Sequence, residues 1–143
     1  MNFSLLRIMW NDWPALACWV ALPVVWIIHW GFPYLQRGAV PLPLALPAGV
    51  SVALLAVLFW RIKRVADLFA HGVAVSGTIT DLRIARDRGR LEFEFEAGGT
   101  RLRSWMPVHK TRSLLSLARG DRVEVLHDRC RPRRAIVRTL FAR

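Results

Sequence analysis

Residues 13–36 read WPALACWVALPVVWIIHWGFPYLQ, and residues 38–60 read GAVPLPLALPAGVSVALLAVLFW. Neither stretch holds a formally charged residue, and Arg37 alone separates them. Each exceeds the ~20 residues needed to cross a ~30 Å hydrocarbon layer as a helix. Gly31 and Pro33 precede the segment Tyr34-Leu35-Gln36-Arg37-Gly38, and Pro41 and Pro43 follow it, which marks a tight turn between antiparallel helices. The reading is a hairpin, with helix one over about 13–33 and helix two over about 43–60. Asn11 or Asp12 is placed to cap helix one, and Pro14 falls in its first turn, where a missing N–H costs little. Pro23 lies mid-helix and is expected to kink it, whereas Pro47 is near enough to the start of helix two to be tolerated. Trp10 and Trp13 sit at one end of helix one, Trp26 and Trp30 toward the other, and Trp60 at the end of helix two. That spacing matches the two aromatic belts of a spanning hairpin.

The rest of the chain has the opposite character. The 143 residues are 54% apolar yet carry a formal charge of +11. Residues 1–60 hold two bases, Arg7 and Arg37, and one acid, Asp12. That leaves 19 of the 21 bases and nine of the ten acids, or +10 of the +11, to residues 61–143. This partition excludes a disordered chain, a disulfide-framed mini-protein and a uniformly soluble globule. It predicts an anchor over 1–60, a juxtamembrane helical extension over 61–71 and a basic β domain over 72–143. A cleaved signal peptide is the rival for the first helix, since Ala15-Leu16-Ala17-Cys18 brushes against a lipoprotein cleavage site. Its apolar run continues far beyond the ~7–15 residues of a signal core, so an uncleaved helix is expected. Arg61, Lys63 and Arg64 follow helix two and Arg7 precedes helix one, against Arg37 alone in the loop. The bias of basic residues toward the inner side puts both termini and the β domain in the cytoplasm.

After Trp60, Ile62, Val65, Ala66 and Phe69 continue a helical face, and Gly72 is placed to end it as the residue after the cap. From Val73 the period becomes two. Val73, Val75, Gly77 and Ile79 share a face; Leu82 and Ile84 have the opposite parity, so a bulge is expected near Thr80-Asp81. Asp87-Arg88-Gly89 reads as a turn. Leu91, Phe93 and Phe95 alternate with Glu92, Glu94 and Glu96, and Gly98-Gly99 is a two-residue hairpin signal. Such a turn makes paired residues sum to 197. Glu96 then faces Arg101, Glu94 faces Arg103 and Glu92 faces Trp105, with Phe95 against Leu102 and Leu91 against Met106 on the core face. Pro107 is expected to break the returning strand, Thr111–Arg119 to form a short helix capped by Thr111, Val123 and Val125 to lie in a fourth strand and Ala135–Phe141 in a fifth. The fold class is α+β: a two-helix transmembrane hairpin followed by a small five-stranded SH3-like or OB-like β-barrel.

The run Gly72-Val73-Ala74-Val75-Ser76-Gly77-Thr78-Ile79, the strand Leu91–Phe95 with Gly98-Gly99, and the close Gly120-Asp121-Arg122-Val123-Glu124-Val125-Leu126-His127-Asp128-Arg129 with Pro132 and Ala135-Ile136-Val137 together carry a resemblance. Over roughly residues 71–138 the chain resembles domain of unknown function 3592, a bacterial family pairing membrane helices with a small β domain. Where that family closes with a Tyr-Asp-Pro turn and then Asn-Pro, this chain has His127-Asp128-Arg129 and Arg131-Pro132. The resemblance implies the fold and a bacterial inner-membrane setting; it implies no activity and no catalytic residues.

Several residues carry possible chemistry. His127-x-x-Cys130 with His109 lacks the second ligand pair that a metal cluster needs, so polar turn residues are expected and no metal. Cys130 lies among Arg129, Arg131 and Arg133, without a role attached to it. His29 is the one candidate for cofactor contact, with haem, chlorophyll or a partner subunit as its targets, since an ionisable group within a span points to function by default. Its rise of ~24 Å past Trp13 instead places it in the outer headgroup belt between Trp26 and Trp30, and no cofactor is expected. Trp19, Trp26 and Trp30 share a face with Pro23 and are candidates for contact with a larger integral membrane protein or lipid. Trp105 beside Arg103 is the pairing that nucleic-acid binding needs, but Arg101 and Arg103 are expected to be neutralised by Glu96 and Glu94. The cluster Arg129, Arg131, Arg133, Arg134 and Arg138 is expected to lack such partners. Each such charge is worth ~1 kcal/mol beside an anionic leaflet, so membrane lipid or an acidic protein outranks nucleic acid. No catalytic constellation is present. The expectation is a non-enzymatic inner-membrane interaction protein, an accessory subunit or assembly factor of a larger complex.

Overall fold

A computed structural model describes residues 4–35 and 43–142; the expected turn through Gln36, Arg37, Gly38 and Pro41 lies outside them. Helix α1 (Leu5–Asn11) leads into α2 (Trp13–Leu35), and α3 (Ala45–His71) continues unbroken from the second apolar stretch through the basic segment. Strands β1 (Val73–Ala85), β2 (Arg88–Ala97), β3 (Thr100–His109), β4 (Arg122–His127) and β5 (Ala135–Val137) follow. One turn of helix, α4 (Arg112–Leu115), lies between β3 and β4, and a 3-10 turn (Arg138–Leu140) follows β5.

Helices α2 and α3 pack antiparallel. Small side chains make the approach: Ala15 and Cys18 bury against Leu58, with Leu54 and Ile62 beside them. Farther along, Trp26 Nε1 donates to Ser51 Oγ at 3.1 Å. Both helices are long and apolar enough to cross a membrane, with mean hydropathy 1.8 and 1.9. Only 17% and 11% of their most apolar windows are buried within the molecule. The core helix of a soluble domain would have its apolar stripe covered; here Trp19, Ile27, Trp30, Val52, Leu55 and Phe59 all point outward.

The five strands form one antiparallel sheet in the order β3-β2-β1-β4-β5. Long β1 makes this possible, pairing with β4 from Val73 to Thr78 and with β2 from Gly77 to Ala85. The register slips between Ile79 and Asp81, so the expected bulge falls at Thr80 and bends the strand round the core. The two edge strands approach each other, with Ser104 Oγ donating to Arg133 O at 2.9 Å, and the sheet is nearly closed. The core holds Ile79, Leu91, Phe93, Val108, Val125 and Phe141. Helical residues complete it: Ile8 of α1 is fully buried among them, as are Val65 and Leu68 of α3. Helices and barrel therefore share one core.

The β2–β3 register agrees with the 197 rule at every pair from Leu91↔Met106 to Ala97↔Thr100. The ion pairs on the outer face are diagonal, however. Arg101 reaches Glu94 at 2.6 Å and Arg103 reaches Glu92 at 2.7 Å, each one step past the residue directly opposite. Long arginines span the diagonal of a twisted ladder as readily as the direct pair.

Other expectations need correction. The first turn is Arg86-Asp87, with Arg86 at φ 58°, while Arg88 and Gly89 already pair in β2. Pro107 does not break β3; it pairs with Arg90 on an edge strand, where a missing N–H leaves no ladder bond unmade. Thr111 caps α4 as expected, accepting from Leu114 N, but the helix is one turn long because Asp121 takes Ala118 N–H into the following turn. The fifth strand ends at Val137, and Leu140 and Phe141 tuck back under the barrel. Gly72 ends α3 in an extended conformation (φ −72°), not a left-handed one. It is needed for room, since a Cβ there would lie 2.3 Å from Leu68 O.

Candidate functional site

The polar groups that sequence reading treated as separate converge where the helices meet the barrel. Asp12 occupies the cap position of α2 through its backbone, its carbonyl accepting from Leu16 N. Its carboxylate does not cap. It takes a two-pronged bond from Arg61 of α3, Nε to Oδ2 at 2.8 Å and Nη2 to Oδ1. Asn11 does not cap α2 either: Nδ2 donates to Leu140 O at 2.6 Å, and Oδ1 accepts from Thr111 Oγ1 at 2.8 Å. Arg7 reaches Ala142 O. The end of the hairpin is thus stitched to the last residues of the barrel.

Arg134 makes a second stitch. Its guanidinium lies 3.7 Å from both Asp67 of α3 and Asp128, and Nη2 donates to Arg64 O at 3.4 Å. Arg138 pairs with Glu124. Both were expected to be uncompensated, and both are structural; neighbouring strands and α3 bring acids to them that are remote in sequence. Arg129, Arg131 and Arg133 have no ion pair among the described residues. Asp128 folds the turn that carries them. Its carboxylate accepts the N–H of Cys130 at 2.8 Å and of Arg131 at 3.3 Å, and the bond from Cys130 above all holds it below the usual carboxylate range.

Between the hairpin end, the β3 edge and β5 lies a cleft of about 610 Å³. Its inner wall is apolar, with Val65, Met106, Ile136 and Phe141; its rim is cationic, with Arg61, Arg64, Arg103 and Arg133. Asp12 and Glu92 neutralise Arg61 and Arg103. Arg64 and Arg133 have no side-chain acceptor among the described residues; the nearest aromatic partner of Arg64 is Trp60, 5.9 Å away. Trp105 stands half-exposed on the rim, with Arg90 4.4 Å over its ring.

The other predicted residues are dispersed. Trp19 and Trp30 are exposed on α2, while Trp26 is turned toward Ser51. His29 is buried, edge-on to Trp26 at 6.0 Å and Trp30 at 5.3 Å, and faces a small groove with Leu46, Pro47 and Val50 of α3. His109 stacks under Trp13, with Trp10 edge-on to it, and His127 stacks on Phe95. Among the described residues no three His, Cys, Asp or Glu side chains gather as a metal site would require.

The Asp12–Arg61 pair was missed, although its signal was present. A hairpin folded about Arg37 places residues summing to about 74 opposite each other, and the single acid before the first span then meets the first base after the second. No family model matches the chain, and neither a curated protein nor a solved structure does.

Proposed function

We propose that this chain is a non-enzymatic, membrane-anchored interaction protein, an accessory subunit or assembly factor whose hairpin packs against a larger integral membrane protein. The observation that carries the reading is the hairpin's uncovered surface: apolar faces that none of the described residues buries, next to a barrel clamped to the same helices by Arg7, Asn11 and Arg134. A clamped barrel keeps a fixed height and orientation over the bilayer, as a docking element requires. The bias of Arg7, Arg61, Lys63 and Arg64 against Arg37 supports cytoplasmic termini at an inner membrane, with residues 36–41 outside. The resemblance to domain of unknown function 3592 over residues 71–138 belongs to this same reading. Arg129, Arg131 and Arg133 add positive charge on the side facing an acidic partner or leaflet.

The test is photo-crosslinking in intact membranes from Trp19 and Trp30, with Trp26 as the comparison. A discrete adduct with one integral membrane protein is expected at the two exposed positions and not at Trp26. Only lipid adducts at all three, together with a lone monomer after gentle solubilisation, would end the proposal. Alkaline phosphatase fused at Arg143 is expected to be inactive; an active fusion reverses the topology.

A further inference from the structure

We infer that the cleft between hairpin and barrel is a binding site for the phosphate headgroup of an anionic phospholipid, held by Arg64 and Arg133. The inference rests on the membrane-anchored reading above and adds a ligand to it. Three observations converge. Position comes first: Pro14, at the start of the apolar stretch of α2, and Arg61, the first residue past that of α3, line the cleft, and exposed Trp60 adjoins it. The opening therefore lies at the level where hydrocarbon ends and headgroups begin. Charge is the second. With Arg61 and Arg103 paired, Arg64 and Arg133 have no ion pair of their own among the described residues; Asp12, whose field also reaches Arg64, is held by Arg61, and the two free arginines line the cleft from different elements, one on α3 and one on the turn before β5. Guanidinium forks match phosphate oxygens and are weakly hydrated, so arginine suits a half-dry anion site better than lysine does. The third is the apolar inner wall. Val65, Met106, Ile136 and Phe141 have nothing to offer a free, fully hydrated anion, but they suit the glycerol and upper acyl carbons of a lipid. Trp105 at the rim has the amphipathic ring favoured at this depth. A volume of about 610 Å³ falls within the range of small-ligand sites.

The full-length protein, purified in mild detergent, is titrated with phosphatidylglycerol or phosphatidylcholine of identical chains, and bound lipid is counted by native mass spectrometry. Each cation near an anionic headgroup contributes roughly fivefold. The wild type is expected to prefer phosphatidylglycerol by about 25-fold, and Arg64→Gln with Arg133→Gln to abolish the preference. Arg133→Gln alone should lose about fivefold; its side chain makes no bond within the described residues, so it tests the site without threatening the fold. Arg112→Gln with Arg119→Gln removes the same charge at exposed positions outside the cleft and is expected to change the preference less than twofold. An equal loss in that control would mean diffuse attraction and would overturn the site. Displacement of the lipid by millimolar inorganic phosphate would identify a free-anion site instead, and equal binding of the two lipids would remove the proposal. None of these outcomes depends on the partner protein. A chain absent from the membrane fraction would instead remove the anchored reading itself.

Discussion

The buried Asp12–Arg61 pair at the hairpin end holds α3 to the start of α2. In Asp12→Ala, Arg61 loses both acceptors of its two-pronged bond while its side chain remains only 15% exposed. Removing one partner of a buried ion pair typically costs ~3–5 kcal/mol, because the remaining charge is stranded. Arg61 lines the open cleft, so water reaches it, which places the cost at the lower end, about 3 kcal/mol. For a chain of this length, ~2–4 °C per kcal/mol corresponds to a Tm lower by roughly 6–12 °C. Near-ultraviolet circular dichroism in mild detergent follows the melting of the aromatic core. The double variant Asp12→Leu with Arg61→Met should recover most of the loss, since an apolar pair of similar size leaves no stranded charge. A Tm drop under about 2 °C for Asp12→Ala, or a double variant as unstable as the two single variants added together, would refute the account of a desolvated clamp.

Ile8→Ala should cost ~2–5 kcal/mol, because Ile8 is fully buried in the barrel core; chemical denaturation with barrel fluorescence measures it, and a neutral result would detach α1 from the barrel. Gly77→Ala should destabilise by ~1–3 kcal/mol through overpacking, since a Cβ would lie 2.7 Å from Val125 Cγ2 and 2.8 Å from Glu94 O, with a sheet partner on each side. Asp128 sets an acid limb. Its folded pKa lies below the ordinary value, so its contribution is complete above about pH 4 and is lost as pH falls through the folded value. Asp128→Asn should therefore lose stability less steeply than the wild type between about pH 5 and 2, as read by denaturant midpoints across that range.

Much of the barrel was legible because strand patterns are local. Alternation of Leu91, Phe93 and Phe95 with three glutamates sets the faces, and Gly98 and Gly99, both at positive φ, set the turn. From these the whole β2–β3 register follows. Pro107 misled because a proline halts a strand only where its N–H is needed, and whether β3 is an edge depends on strand order, which no local signal carries. Helix α1 was not foreseen. Seven residues make a marginal helix alone, and this one is held by Ser4 at its cap and by Ile8 in a core whose next buried member along the chain is Val65.

By itself, then, the sequence determined what depends on neighbours along the chain: two uncharged helical stretches, the change of period at Val73, the bulge at Thr80 and the charge step at Trp60. The tertiary structure alone decided which arginines are spent. Arg61, Arg134 and Arg138 looked as free as Arg64 and Arg133, yet Asp12, Asp67, Asp128 and Glu124 neutralise the first three. A cation's availability depends on the acids that folding carries to within a few ångströms of it, and those acids arrive from other elements. The cleft exists for the same reason, since its walls come from α2, α3, β3 and β5 and meet only when the barrel closes against the hairpin.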